Sequence, residues 1–381
     1  MTTVQVPPLV EILAAIPDAR QEQGRRHSLA GMLALACVAT LCGYASVKAI
    51  AEWGRNYGDE YAAAFGFERH GYPAQATWYR VLRQVDLHQV EAHLGSWCEQ
   101  VLAALGRAAD LEGLSVDGKT LRGSRQHGAE GAHLLGAATH GLGSVLAQVA
   151  VADHTNEIGV FAALVVNLVL TGRVVTTDAL LTQTEVAATI RERGGEYLMP
   201  VKANQPATLE ALTYWFEGHP PRPLANRVAT RVEKGHGRLT EWRIEVTSAL
   251  NDYLAWPDLA QCFKLTCRRT DLASGTAHTQ THYGITSLTP DHASPADLLR
   301  LKRQHWTIET RVHWVRDVTF HEDRNALHTG HTHQLLAALR NLTLTLLRSL
   351  GHANIAAALR SFAARPALAL SLLTEPLPIG E

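Results

Sequence analysis

Over residues 1–110 the apolar positions recur at helical spacing. Residues 9–16 predict a short helix stopped by Pro17, and Ser28 stands where it can cap a buried helix behind it. Residues 48–57 continue with an amphipathic pattern, Gly71-Tyr72-Pro73 breaks it, and residues 77–85 and 87–109 resume it as two helices. From Leu111 the period changes. Residues 114–119 (LSVDGK) predict a short strand with an acid inside it. Residues 133–139 and 144–151 predict two more, joined by the hairpin turn His140-Gly141-Leu142-Gly143. A helix over 156–168, a buried strand over 173–177, a helix over 182–193 closed by Gly194-Gly195, and a strand over 196–201 follow. Three strands in meander, then helix, strand, helix, strand, predict an α/β layer on a mixed sheet.

The order then breaks. A helix over 206–216 and a proline-rich loop at 220–223 lead into strands over 227–247, 261–268 and 278–286. This strand-rich stretch reads as an insertion. Its first part is locally basic, with Arg222, Arg227, Arg231, Lys234, Arg238 and Arg243 against Glu233 and Glu241. From Ser294 the chain is helical again, with further helices over 334–347 and 355–362. The expected divisions are therefore a helical N-terminal domain (1–110), the first part of an α/β domain (111–205), a β-rich insertion (206–293), the rest of the α/β domain (294–350) and a helical tail (351–381).

Hydrophobic residues are 46% of the 381 and charged residues 19%, enough apolar material for real cores. Lys and Arg number 35 against 36 Asp and Glu, so nucleic-acid contact must come from local patches rather than a basic whole. The five cysteines are scattered without zinc-finger spacing, which predicts a reduced, cytosolic protein. The uncharged run 29–47 follows Arg25-Arg26 and invites a membrane or signal reading. Its Gly31, Thr40, Cys42, Gly43, Tyr44 and Ser46 make it only moderately apolar, so a buried core helix is expected and no membrane. The helices over 77–85 and 87–109, with Tyr79, Arg80 and Arg83 on the first, are compatible with a helix-turn-helix and equally with a small bundle.

Three acids stand out by position: Asp117 inside the first strand, Asp178 at the end of the fourth, and Glu309 on the helix after the insertion. If the first and fourth strands are neighbours, the two aspartates converge. Clustered carboxylates repel unless cations are present, which points to hard divalent metals, Mg²⁺ or Mn²⁺, on oxygen ligands. Two such ions can activate a water or a 3′-hydroxyl at a phosphodiester. The plainer alternatives are a turn at Asp117-Gly118, a helix cap at Asp178 and a solvated charge at Glu309. Lys119, Arg122, Lys202 and Asn204 are expected to contact phosphate; Lys119 and Arg122 have pairing with the acids as their alternative.

Several motifs in order resemble one family: RRHSLAGMLALACVATLCG (25–43), VDGKTLRGS (116–124), TNEI (155–158), VVTTDALLTQ (174–183), YLMPVKANQP (197–206), KGHGR (234–238) and HWTIETRVHWVRDVTFHED (305–323). They resemble the bacterial insertion-sequence transposases of the H-repeat-associated branch, which are DDE transposases. The resemblance implies a ribonuclease-H-like catalytic fold and makes Asp117, Asp178 and Glu309 the metal-binding catalytic triad. It also implies dependence on Mg²⁺ or Mn²⁺, with two ions expected. The implied partners are DNA at terminal inverted repeats and target DNA, cut at the element ends and joined by 3′-hydroxyl attack. A homodimer on DNA and a cytoplasmic, nucleoid-associated location are expected. Lys234, Arg238, His305, Trp306 and Arg316 become expected DNA contacts, and the helical N-terminal domain (1–110) is expected to help bind the element ends. Where the wider group often carries tyrosine, arginine and lysine around its Glu, this chain has Lys302, His305 and Arg316.

Other readings stay open at this point: a transposase-derived DNA-binding protein that does not cut, and a metal-dependent nuclease without strand transfer. His313, His321, His328, His331 and His333 invite a zinc site, but their spacing matches no helix-borne HExxH. Trp306 and Trp314, eight apart, fall ~80° apart around a helix, so core packing is expected of at least one. Trp306 could instead stack on an unpaired base. Glu322 and Asp323 read as supporting or surface acids.

Overall fold

A computed structural model of the chain describes residues 6–22, 25–106, 111–125, 131–152, 155–218, 227–324 and 330–377, with 58 and 59 described in backbone alone. Arg107, the 220–223 loop with Arg222, and His328 lie outside the described residues. Along the chain run α1 (Leu9–Ala15), α2 (Leu29–Leu41), α3 (Val47–Phe65), α4 (Gln75–Leu82) and α5 (Leu87–Ala104), then β1 (Glu112–Thr120), β2 (His133–Thr139) and β3 (Val145–Val151). Next come α6 (Glu157–Val165), β4 (Arg173–Thr176), α7 (Thr184–Glu192), β5 (Glu196–Val201) and α8 (Pro206–Glu217). Strands β6 (Arg227–Gly235), β7 (Arg238–Thr247), β8 (Gln261–Asp271) and β9 (Ala277–Thr286) follow. The chain closes with α9 (Pro295–Gln304), α10 (Trp314–Val318), α11 (Thr332–Ser349), α12 (Ile355–Ala363) and α13 (Pro366–Thr374).

The chain divides into two compact units: residues 1–109, 118–155 and 307–381 form the first, and residues 110–117 and 156–306 the second. In the first, the uncharged run is cut in two. The Ser28 hydroxyl accepts from the Gly31 N–H at 3.0 Å to open α2, and Ser46 accepts from Ala49 at 3.1 Å to open α3. Between them Gly43 takes φ +85°. The 13 residues of α2 are nearly all buried and rise about 20 Å, short of the roughly 30 Å a bilayer core needs. No single described helix is long and apolar enough to cross a membrane. Helix α5 lies close on β3: a Cβ on Gly95 would come within 2.5 Å of the Leu146 carbonyl oxygen. Beside that contact the Gln148 and Gln334 amides both donate to the Glu91 carboxylate, each at 2.9 Å. The strand order here is β3-β2-β1, with β2 and β3 antiparallel.

Strand β1 also opens the second unit, whose order is β1-β4-β5-β9-β8-β7-β6. Pairings β1–β4 and β4–β5 are parallel, and the rest antiparallel. The strand-rich stretch continues the sheet from β5: Leu198 pairs with Thr286. The strand-like stretch over 227–247 is a hairpin, turned at His236 (φ +49°) and Gly237 (φ +72°), where glycine meets the left-handed backbone without strain. A capping box between Ser294 and Asp297 starts α9. Its Leu298, Leu299 and Leu301 bury against Ile244, Val246, Phe263 and Leu265 of the sheet.

Candidate active site

In the second unit the parallel register of β1 and β4 pairs Glu112 with Arg173 and runs to Ser115 with Thr176. Two residues further on each chain stand Asp117 and Asp178, both half-buried. Adjacent strands lie about 4.8 Å apart, so the register carries Asp117, inside β1, towards the level of Asp178, two residues past the end of β4. The residues just before them are tied to a common group. Ser115 Oγ donates to the His305 carbonyl oxygen at 3.0 Å, and Thr176 Oγ1 bonds His305 Nδ1 at 3.0 Å. His305 is 9% exposed at the end of α9. Its ring faces the strands, which differs from the DNA contact expected of it. Sequence inspection missed Ser115 and Thr176; their only signal was a hydroxyl two residues before each acid.

The loop after Asp178 is braced. One Asp178 oxygen accepts from the Leu181 N–H at 3.1 Å, so the capping role considered for it is real and uses one oxygen. Thr182 Oγ1 donates to the Pro200 carbonyl at 2.7 Å, and Asn204 Nδ2 to the Ala179 carbonyl at 2.6 Å. The amide N–H of Asn204 thus shapes the loop. Lys202 is exposed. Burial and the like charge of Lys202 pull the Lys302 ammonium down to about 8, against the attraction of Asp178. Burial, then Lys302 and Lys202, likewise hold His282 below the ordinary imidazole range. The donor set at the strand ends, two hard carboxylates with cations close by, fits a divalent ion and a phosphate. Trp306 is 66% exposed.

Glu309 belongs to the first unit. The backbone stays helical through His305, Thr307 and Trp314, and residues Ile308–His313 form a π-helical turn. Such turns recur at functional sites. Glu309 is about half exposed, with one carboxylate oxygen 3.6 Å from His313 Nδ1. Burial keeps His313 below its usual value, Glu309 opposing. The turn is clasped: Arg311 donates to the Gly141 carbonyl at 2.9 Å, and Arg348 donates to the carbonyls of Gly143, at 2.8 Å, and Arg311. One helical step on, Arg316 donates to Glu322 at 2.9 Å, and Arg340 bonds the other Glu322 oxygen at 2.7 Å. Burial pushes the Glu322 acid up, but Arg316 and Arg340 together bring it down to about 2. Arg316 is 3% exposed. It is therefore enclosed, contrary to the DNA contact expected of it.

Lys119 is also turned inward, with its ammonium on both Asp317 oxygens at 2.6 and 2.7 Å. Arg122 is exposed, its backbone N–H on Asp323. Neither tryptophan packs in a core: Trp314 is 57% exposed, and Ile308, Val312 and Val315 face inward instead. The signal for Arg340 was present, since it is a lone charge in the apolar run LLAALRNLTLTLL and a buried charge needs a partner. Lys234 and Arg238 flank the β6–β7 turn and are exposed.

Residues 108–346 match the family model described as Transposase DDE domain, and residues 10–98 match the one described as DDE_Tnp_1-associated. The chain is 28% identical to "Putative transposase YncI" of Escherichia coli O157:H7 over 89% of this chain and 87% of that one. It is 28% identical to "H repeat-associated putative transposase YhhI" of Escherichia coli K12 over 89% and 90%. A cryo-EM structure of the piggyBac transposase synaptic complex with hairpin DNA aligns over 97% of this chain and 77% of that chain, at 10% identity and a TM-score of 0.39. The mixed α/β sheet after a helical N-terminal region is the ribonuclease-H-like class expected, and the chain belongs to the DDE transposase family.

Proposed function

We propose that the chain cuts DNA at the ends of an insertion sequence and joins the freed ends to target DNA, using Asp117, Asp178 and Glu309 as the catalytic triad. The observation that supports this reading is the parallel pairing of β1 and β4, which runs to Ser115 and Thr176, two residues before Asp117 and Asp178. Glu309 joins them on its motif. The three carboxylates would hold Mg²⁺ or Mn²⁺, which when bound activates the attacking oxygen and stabilises the leaving one. Hydrolysis of one phosphodiester gives a 5′-phosphate and a 3′-hydroxyl. That hydroxyl then attacks a target phosphodiester, displacing a target 3′-oxygen, so bonds broken and formed balance without a covalent enzyme intermediate.

The chain's own groups divide the work. His305, through Ser115 and Thr176, positions the strand ends that bear the aspartates. Arg316 and Lys119 act as positioning residues through Glu322 and Asp317. Lys202, Arg122, Lys234 and Arg238 meet phosphate. Exposed Trp306 stacks on a base freed near the cut. Asp117→Asn is expected to abolish Mg²⁺-dependent nicking of a labelled element end while gel-shift binding of that end survives. Retained nicking in the variant refutes the assignment.

A further inference from the structure

One face of the β7–β9 extension carries a row of cationic and polar side chains that leads away from Asp178. Residues directly opposite on antiparallel strands point to the same side of a sheet. The register sets His282 opposite Leu265, Gln280 opposite Cys267 and His278 opposite Arg269. On the other flank of β8, Trp242 stands opposite Cys267 and Arg238 opposite Asp271. Helix α9 covers the inner end of this face, with the Arg303 guanidinium 4.0 Å from the centre of the Trp242 ring. At that end His282 meets the field of Lys302 and Lys202 beside Asp178.

At the outer end Arg238, Arg269, His278 and Gln280 are exposed and line a cavity of about 540 Å³ with Asp271. The Asp271 carboxylate is engaged in its own turn. Its Oδ1 accepts from the N–H groups of Ala273 (3.0 Å) and Ser274 (2.8 Å) and from the Ser274 hydroxyl (3.0 Å). Two guanidiniums and an imidazole thus face one occupied acid. Along β9, His282, Gln280 and His278 step outward by about 6.8 Å each.

We propose that this face is a sequence-independent track for the backbone of duplex DNA, with Arg238 and Arg269 as its outer clamp. It would hold the DNA that runs away from the cleavage site. The inference rests on the transposase reading for its ligand and assigns that ligand a path.

The test is a salt titration of binding between the full-length chain and a mixed-sequence duplex, followed by fluorescence anisotropy. For the Arg238→Ala/Arg269→Ala double variant the slope of log affinity against log salt should shrink by about 1.8, since each neutralised phosphate contributes ~0.9. The loss should be similar for duplexes of different sequence. Arg238→Lys/Arg269→Lys should keep the slope, and Arg360→Ala, at an exposed position of α12, should not change it. An unchanged slope in the alanine double variant overturns the track, as does a loss confined to one sequence. Asp178→Asn separates the two readings. If it still nicks while the alanine pair loses slope, the cleavage assignment falls and the track stands. If it stops nicking while the slope holds, the track alone falls.

Discussion

Two sets of arginine–glutamate pairs, one in each unit, work in opposite ways. In the first, Glu322 is 4% exposed between Arg316 at 3% and Arg340 at 2%, and the second nitrogen of Arg340 bonds the Ala45 carbonyl. In the second, Arg231 and Arg243 are more than half exposed and pair with acids two residues along their own strands. Desolvation makes the difference. A buried pair has given up water and depends on its partner, whereas an exposed pair trades between water, its partner and any phosphate that arrives. The buried set fixes the helix after Glu309, and the exposed set stays available.

The largest effect should follow from breaking the buried set. Glu322→Gln leaves two enclosed guanidiniums without an anion, so a loss of about 3–5 kcal/mol is expected in urea unfolding. Its pH dependence has a defined sign. Glu322 is lowered in the folded chain to about 2, so its contribution is present above the unfolded carboxyl value of about 4.3 and disappears as pH falls from there through about 2. The gap between wild type and variant should close across that window. A gap that stays constant would mean that Glu322 acts by shape, and the contrast would lose its electrostatic basis.

Glu91 sharpens the point within the first unit. It is partly buried, and amides rather than guanidiniums face it. Burial pushes it up to about 7, with Gln148 and Gln334 only partly offsetting this. A raised acid contributes most below its unfolded value and loses that contribution as pH rises through about 7. Glu91→Gln should therefore be stabilising at pH 8, on the order of 1–3 kcal/mol, and near neutral at pH 4. Denaturation midpoints at the two values check it, and a pH-independent difference would remove Glu91 from the comparison.

What could be read from sequence divides along the same line. The Ser28 cap, the strand bearing Asp117, the strand ending before Asp178 and the turn at 140–143 are local patterns, and the structure has each of them. The parallel pairing of β1 and β4 matches the neighbourhood assumed for the first and fourth strands. Burial is not local. Arg316 and His305 look in sequence like cations on an exposed helix, but Arg316 is paired with Glu322, which Arg340 shares, and His305 with Ser115 and Thr176. Period also failed locally. Around the π-helical turn the 3.6-residue repeat does not hold, so the angle between Trp306 and Trp314 could not be read from a regular helix.

The smallest effect completes the contrast. Arg231 Nε lies 2.8 Å from Glu233, but that acid is also held at 2.7 Å by Arg303. The Arg303 hydrogen bond is the main reason Glu233 sits below the ordinary carboxyl range, with Arg231 adding less. Arg303 in turn lies over Trp242 and packs with α9. Removing Arg231 therefore leaves Glu233 paired and the sheet face covered. Arg231→Ala should change stability by no more than about 0.5 kcal/mol, and raised salt should erase even that, because both groups of the pair stand in water. Denaturation at low and high salt measures it. A loss above about 1 kcal/mol that survives salt would show that the exposed row is structural after all, and the division of labour between the two units would fail at the residue where it ought to be easiest to see.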